Sequence, residues 1–305
     1  MPVLHGSGTI LSRGRRYWCT FDEMNPRYAA LAAAVLFSTG GVAIKSTALT
    51  SWQVAGLRSL VAAAAIAALL PESRRNWTWR SALVALAYSI CLLTFVLATK
   101  NTTAANAIFL QGTGPLYLVL LGPWLLKELI KPGDWLSLAL IAVGMVLVFW
   151  DNQTAQRLAP NPALGDFLGA ISGLAWACTV CGLRWLAKLG EGNSMAPVLI
   201  GNLFALVFCA PGFFPIAQVE VRDLWALLYM GVVQVGIAYW LLTRAMAKLP
   251  ALEVSLLMML EPALNPLWTW LVHNEIPTIS AMVGGALIIG ATSVKGWLSR
   301  DSVVA

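Results

Sequence analysis

Charge is what this sequence has least of. Asp, Glu, Lys and Arg make up 11% of its 305 residues, against roughly 25% in an ordinary soluble domain. A soluble chain of this length needs far more polar surface than that. Hydrophobic residues reach 59% and the mean hydropathy is +0.74, so the apolar excess must face lipid. Histidine is nearly missing as well, with only His5 and His273. There is no HExxH zinc helix, no GxSxG nucleophile elbow and no GxxxxGK[ST] phosphate loop. These absences remove the usual routes to metal-assisted or serine-based hydrolysis and to nucleotide-driven chemistry. No clustered acid–base pair at mid-depth replaces them, so an enzyme is not expected. Four of the five cysteines (Cys91, Cys178, Cys181, Cys209) lie in apolar stretches; the fifth is Cys19. Cys178 and Cys181 form a single CxxC inside a predicted span. A zinc site needs about four ligands, so neither a metal nor any other cofactor is expected, and no disulfide framework is indicated.

What the chain does have is long apolar segments between short polar breaks. They run approximately 28–46, 52–70, 80–99, 103–126, 134–150, 164–187, 195–214, 223–243, 250–272 and 279–298. Most approach the ~20 residues that cross a hydrocarbon core. Residues 1–27 form a polar N-terminal segment that lacks a small-residue cleavage site before the first span, so that span is read as retained. Met24 opens a second start-like stretch, MNPRYAALAAAVLF, and residues 1–23 are expected to be dispensable for membrane insertion.

The formal charge of +6 belongs to membrane topology, because basic residues concentrate in cytoplasmic loops. With the N-terminus inside, 15 of the 20 Lys and Arg fall in inside segments. Lys45, Lys100, Arg157 and Arg222 fall outside, and Arg58 lies within a span. Both termini are therefore expected in the cytoplasm, with 299–305 as a short tail. That requires an even number of spans. No basic run interleaved with aromatics suggests nucleic acid, and no obligate protein partner is evident. The expected partners are the bilayer and a small solute.

The chain also repeats itself. A shift of 147 sets Pro115 on Pro262 and Glu128 on Glu275, and aligns Ala139-Leu140-Ile141 with Ala286-Leu287-Ile288. A shift of 139 sets Phe37 on Trp176 and Lys45 on Arg184; a shift of 144 sets Arg58 opposite Asn202. The polar stretch 151–163 then reads as a linker between a first repeat (28–150) and a second (164–298). Five spans per repeat is odd, so the second half enters the membrane from the opposite side. The expected fold is all-α, an integral membrane protein of ten transmembrane helices in two inverted five-helix repeats. Such repeats supply inward-open and outward-open shapes by exchanging the conformations of their halves.

The segments GPLYLVLLGPWLLKE (114–128) and EPALNPLWTWLVHNE (261–275) resemble the fourth and ninth helices of the EamA family, in the drug/metabolite transporter superfamily. FSTGGVAIK (37–45) and VAGLRSLVAA (54–63) are similar to its first and second helices. The resemblance covers residues 28–298. It implies ten helices around a central cavity and export of amino acids or related metabolites from the cell across the inner membrane. A broad-specificity drug exporter and a passive facilitator or channel are the alternatives. One departure is that Glu261 falls on Gly114 in the first half, so the two gates need not be chemically equivalent.

Candidate site residues follow from what does not belong in lipid. Arg58 and Glu261 are intramembrane charges that need a partner or a purpose; Arg58 suits a carboxylate, and Glu261 a proton or an ammonium. Pro115 and Pro262 are candidate hinges that would free the carbonyls of Gln111 and Met258. Phe37, Tyr88, Phe109, Gln111, Trp176, Gln234, Tyr239 and Trp240 are mid-span aromatic and amide candidates for a cavity wall. Each aromatic also has a plainer reading as packing or interfacial anchor. Glu128 and Glu275 are read as fold-defining contacts at helix ends, with Glu253 near a membrane face and His273 structural. Gly169 and Gly173 form a GxxxG suited to close helix packing.

Overall fold

A computed structural model describes residues 24–75, 77–149, 159–191, 195–215, 219–273 and 279–298. Residues 1–23, most of the 151–163 linker, Glu275 and the tail lie outside these. The described residues are helical and contain no strand. In order they form α1 (Pro26–Ser38), α2 (Gly40–Lys45), α3 (Ser51–Leu69), α4 (Trp79–Asn101), α5 (Ala104–Gln111), α6 (Gly114–Leu121), α7 (Pro132–Phe149), α8 (Pro162–Lys188), α9 (Ala196–Cys209), α10 (Val221–Leu228), α11 (Ala238–Lys248), α12 (Ala251–Met258), α13 (Leu260–His273) and α14 (Ile279–Leu298). Two wider, π-type stretches, Gly122–Leu126 and Tyr229–Ile237, extend α6 and join α10 to α11.

Six helical stretches are long and apolar enough to cross a membrane: Pro26–Lys45, Ser51–Leu69, Trp79–Asn101, Asn106–Leu126, Pro162–Lys188 and Val221–Lys248. Shorter apolar stretches occupy Pro132–Leu147, Ala196–Gly212 and Met282–Thr292. Large apolar side chains point outward from these helices, among them Leu120, Trp124, Phe167 and Trp225. On a soluble protein such a surface would aggregate; here it meets lipid. The chain is a multi-pass membrane protein.

Helix ends follow local sequence. Thr50 and Gln53 form a reciprocal capping box at the start of α3, with bonds of 3.1 and 3.3 Å. Asn25 and Asn161 cap α1 and α8, each followed by a proline in the first turn, where the missing N–H costs nothing. Small residues set the packing. Ala29, Ala30, Ala33 and Ala34 are fully or almost fully buried, and α1 packs against α11, α12 and α13. The α8 helix lies against α4 and α5, and Gly173 permits the second contact: a β-carbon there would stand 2.7 Å from the Leu110 carbonyl oxygen. The α7 and α14 helices pair over a smaller core that includes Ile141, Met145, Met259 and Ile288.

The prolines act differently from the expectation. The helices break ahead of them, at Gly112–Thr113 and at Met259. Pro115 then sits in the first turn of α6 and Pro262 near the start of α13, where a missing donor is tolerated. The two breaks are equivalent under the shift of 147, which carries Gly112 onto Met259.

Candidate functional site

A cavity lies where α1, α3, α4, α5, α8, the 229–237 stretch, α12 and α13 converge. Its volume is about 60 Å³, room for a few waters where each needs about 10–15 Å³. Both break residues, Gly112 and Met259, line it.

Arg58 enters from α3 and is 3% exposed. One guanidinium nitrogen donates to Gln234 Oε1 at 3.4 Å. Its Nε is buried and has no partner among the described residues. Gln234 is brought to the wall by the wide turns of residues 229–237. Gly40, just past the break between α1 and α2, faces its amide so closely that any β-carbon would collide with it. That break is also held from outside. Trp268 Nε1 donates to Ser38 Oγ at 2.7 Å, and the Thr39 and Tyr229 hydroxyls bond at 2.8 Å.

Glu261, in the first turn of α13, faces the same cavity. Among the described residues it forms no ion pair, with Arg58 or with any other base. Gln111 closes α5 and is better satisfied: its Nε2 donates to Ser172 Oγ at 2.9 Å and lies 3.4 Å from Cys91 Sγ. Ser172 in turn donates to the Cys91 carbonyl at 3.1 Å.

The aromatic wall is built edge to face, the arrangement ring quadrupoles favour. Phe37 meets Tyr239 at 4.9 Å between centroids and Trp176 at 6.1 Å. Tyr88 stands behind, 4.8 Å from Tyr239, and its hydroxyl accepts from Asn202 Nδ2 at 2.9 Å.

Of the residues singled out in the sequence, Phe37, Arg58, Gln111, Trp176, Gln234, Tyr239, Glu261 and Pro262 share this cavity. Four do not line it. Tyr88 is in the layer behind, Phe109 packs on the smaller core, Trp240 faces a groove on the outer surface, and Pro115 is buried in α6. Cys91, Phe95 and Met258 line the cavity without having been singled out. Only Ser172, beside the GxxxG and bonded to Gln111, carried a polar signal that could have been used.

Several charges near the helix ends are paired. Glu128 accepts from Arg184 Nε at 2.7 Å and from the Ala251 backbone N–H at 2.9 Å, with Lys188 Nζ at 3.2 Å. Burial pushes its carboxyl upward, but these donors outweigh that and hold it below the usual carboxylate range. Arg27 and Glu253 form a buried pair at 2.8 Å. Of the CxxC, Cys178 is exposed and Cys181 buried.

Apolar helices enclosing a charged, aromatic-walled cavity define an integral membrane protein with an interior built for polar contact. The family model described as EamA-like transporters matches residues 27–150 and 163–294, and the chain belongs to that family, within the drug/metabolite transporter superfamily. It is thus a transporter rather than an enzyme. It is similar to an uncharacterized transporter of Archaeoglobus fulgidus, 26% identical over 224 residues that cover 72% of this chain and 76% of that one. It is also similar to the uncharacterized transporter YdfC of Bacillus subtilis, 22% identical over 63% of this chain and 62% of the relative. A crystal structure shares the fold with a TM-score of 0.72 at 21% identity, covering 90% of this chain and 98% of that one.

Proposed function

We propose that the chain is a secondary transporter that exports a small metabolite, an amino acid or a related amphipathic solute, by alternating access around the central cavity. In this reading ten spans form two five-helix repeats of opposite orientation, 28–150 and 164–298. The protein sits in the inner membrane with both termini in the cytoplasm. Support for the repeats comes from two separate matches of one family model and from the equivalent helix breaks at Gly112 and Met259. Discontinuous helices at a repeat interface are where transporters of this design hold their substrates.

The observation that carries the proposal is that Arg58 and Glu261 face one cavity without pairing with each other. An intramembrane charge costs roughly 2.5–3.5 kcal/mol on insertion scales. Two opposite charges held apart therefore need a third party, and a zwitterion satisfies both. Its carboxylate would meet Arg58, beside the orphaned Nε, and its ammonium would meet Glu261. Because Gly114 replaces Glu261 in the first half, the ammonium is held from one repeat only. At about 60 Å³ the cavity is far smaller than the roughly 300 Å³ of ordinary ligand pockets. Loading a solute requires it to open, which is why the mechanism is alternating access rather than a standing pore.

Counterflow in proteoliposomes tests this. Without ATP, vesicles preloaded with unlabelled amino acids should accumulate the labelled form saturably. The methyl ester and the N-acetyl derivative should not compete. Flux that never saturates and shows no counterflow would make the protein a channel. Equal competition by both derivatives would remove the charge-pair reading.

A further inference from the structure

On the outer surface of the bundle, α3 and the stretch from Val232 to Leu241 enclose a second hollow, an almost wholly apolar groove of about 310 Å³. Ile66, Leu69 and Leu70 form one wall; Gly236, Ile237 and Trp240 form the other. Leu69 and Ile237 are well exposed at its mouth. The floor needs no side chain at Gly236, where an added β-carbon would meet only the Gly231 carbonyl oxygen at 3.4 Å and Ile66 at 4.0 Å.

The two walls run in the same direction. Gly231 lies against Val61 and Gly236 against Ile66, so each step along α3 is matched by a step along the other wall. Both walls leave the groove toward cations: Arg244 lies one turn past Trp240 on one, and Arg74 and Arg75 lie in the short turn that follows α3 on the other. The Arg244 guanidinium lies over the Trp240 ring, 4.1 Å from its centroid, and Trp240 lines the groove. Arg74 and Arg75 are exposed in the turn that follows Leu70, with Glu72 the one acidic residue there, and Lys248 is exposed one turn beyond Arg244. An apolar slot in the membrane thus ends at a mostly cationic rim where its helices leave the bilayer.

We propose that this groove binds one acyl chain of an anionic phospholipid, with the lipid phosphate held by Arg244, Arg74 and Arg75. The slot suits a flexible hydrocarbon chain because its lining offers a ligand essentially no polar partner. The rim suits a phosphate because guanidinium groups give it charge-assisted hydrogen bonds, and basic residues at a membrane face attract anionic headgroups. The groove shares a wall with the central cavity. Gln234 and Val235 face inward from the stretch whose neighbours Val232, Gly236 and Ile237 face the lipid slot. The inference does not depend on what the cavity carries.

Native mass spectrometry of the full chain, taken from bilayers holding equal phosphatidylglycerol and phosphatidylcholine, tests it. The wild type should retain one phosphatidylglycerol about tenfold more often than phosphatidylcholine. The combined Arg74→Gln, Arg75→Gln, Arg244→Gln variant should lose that preference. Gly236→Leu, which fills the slot, should lose the retained lipid itself. Should Gly236→Leu fail to run as a single folded species, Ala65→Leu fills the same slot from the opposite wall. Equal retention of the two lipids by wild type overturns the proposal. So does unchanged retention in a folded slot-filling variant, or a dimer that forms through this face in place of bound lipid.

Discussion

Phe37 and Trp176 meet edge to face at 6.1 Å, and they are the two positions that a shift of 139 in the sequence sets upon each other. In the repeat reading proposed above, residues that contact their own counterparts mark where the two repeats would face one another. The same holds for Ile141 and Ile288, related by the shift of 147, which share the smaller core. The cation pair Lys45 and Arg184 extends the pattern. Lys45 donates to the Thr102 carbonyl just past α4, and Arg184 donates to the carbonyls of Met246 and Ala247 at the end of α11. Each meets the carbonyls at the end of a helix, as a cation near a helix C-terminus should.

Phe37 and Trp176 both line the cavity, so their contact forms part of its wall. Trp176→Ala should lower stability by about 3 kcal/mol, the lower end for removing a buried large aromatic, and widen the cavity. Trp176→Phe should restore most of the stability while leaving the added width. Thermal unfolding in detergent reads the first effect. A broader range of competing solutes in counterflow reads the second.

Arg58 should act on substrate affinity. Losing a charge-assisted hydrogen-bond pair to a carboxylate costs about 1.5–3 kcal/mol, so Arg58→Gln should raise the KM for export roughly 10- to 100-fold. Arg58→Lys should recover part of the loss, because a point charge cannot reproduce the fork. Gln111→Ala and Gln234→Ala should change transport kinetics without loss of expression. An unaltered KM in Arg58→Gln would separate this arginine from the substrate.

These residues were legible because lipid makes polar groups conspicuous. An arginine, a glutamate and two glutamines inside apolar runs have to be explained, and all four turn toward one cavity. Aromatic residues carry no such signal. Phe37, Trp176 and Tyr239 face the cavity while Tyr88, Phe109 and Trp240 pack elsewhere, and only the rotation of each helix against its neighbours decides which. Cys91, Phe95 and Met258 were invisible for the same reason, since they look like any other apolar lining. The prolines marked the neighbourhood of the helix breaks, which fall two to three residues ahead of them, where Gly112, Thr113 and Met259 leave the helix.

Glu128 joins the end of the α6 stretch to α8 and to the start of α12. Its carboxyl is held below its ordinary value near 4.5. A depressed folded-state pKa adds stability at every pH above the unfolded value, and that contribution is lost as the pH falls through the folded one. Thermal stability should therefore drop below about pH 4.5 in wild type. Glu128→Gln should cost about 2 kcal/mol at neutral pH, the range for hydrogen bonds to a charged group, and should flatten the acid limb. An acid limb identical in Glu128→Gln would place the titration elsewhere.

The Arg27–Glu253 pair ties α1 to α12 at 2.8 Å, with side chains 6% and 8% exposed. Burying two charges is worthwhile only while both are present. Glu253→Gln leaves Arg27 without its counter-charge and should cost about 3–5 kcal/mol, enough to lower the yield of folded protein. Arg27→Met combined with Glu253→Leu removes both charges and keeps the volume, so it should return the stability to within about 1 kcal/mol of wild type or above it. The two single variants and the double form a cycle that isolates the coupling. Additive losses across it would mean that the pair holds the helices through packing of its carbon stems and not through charge.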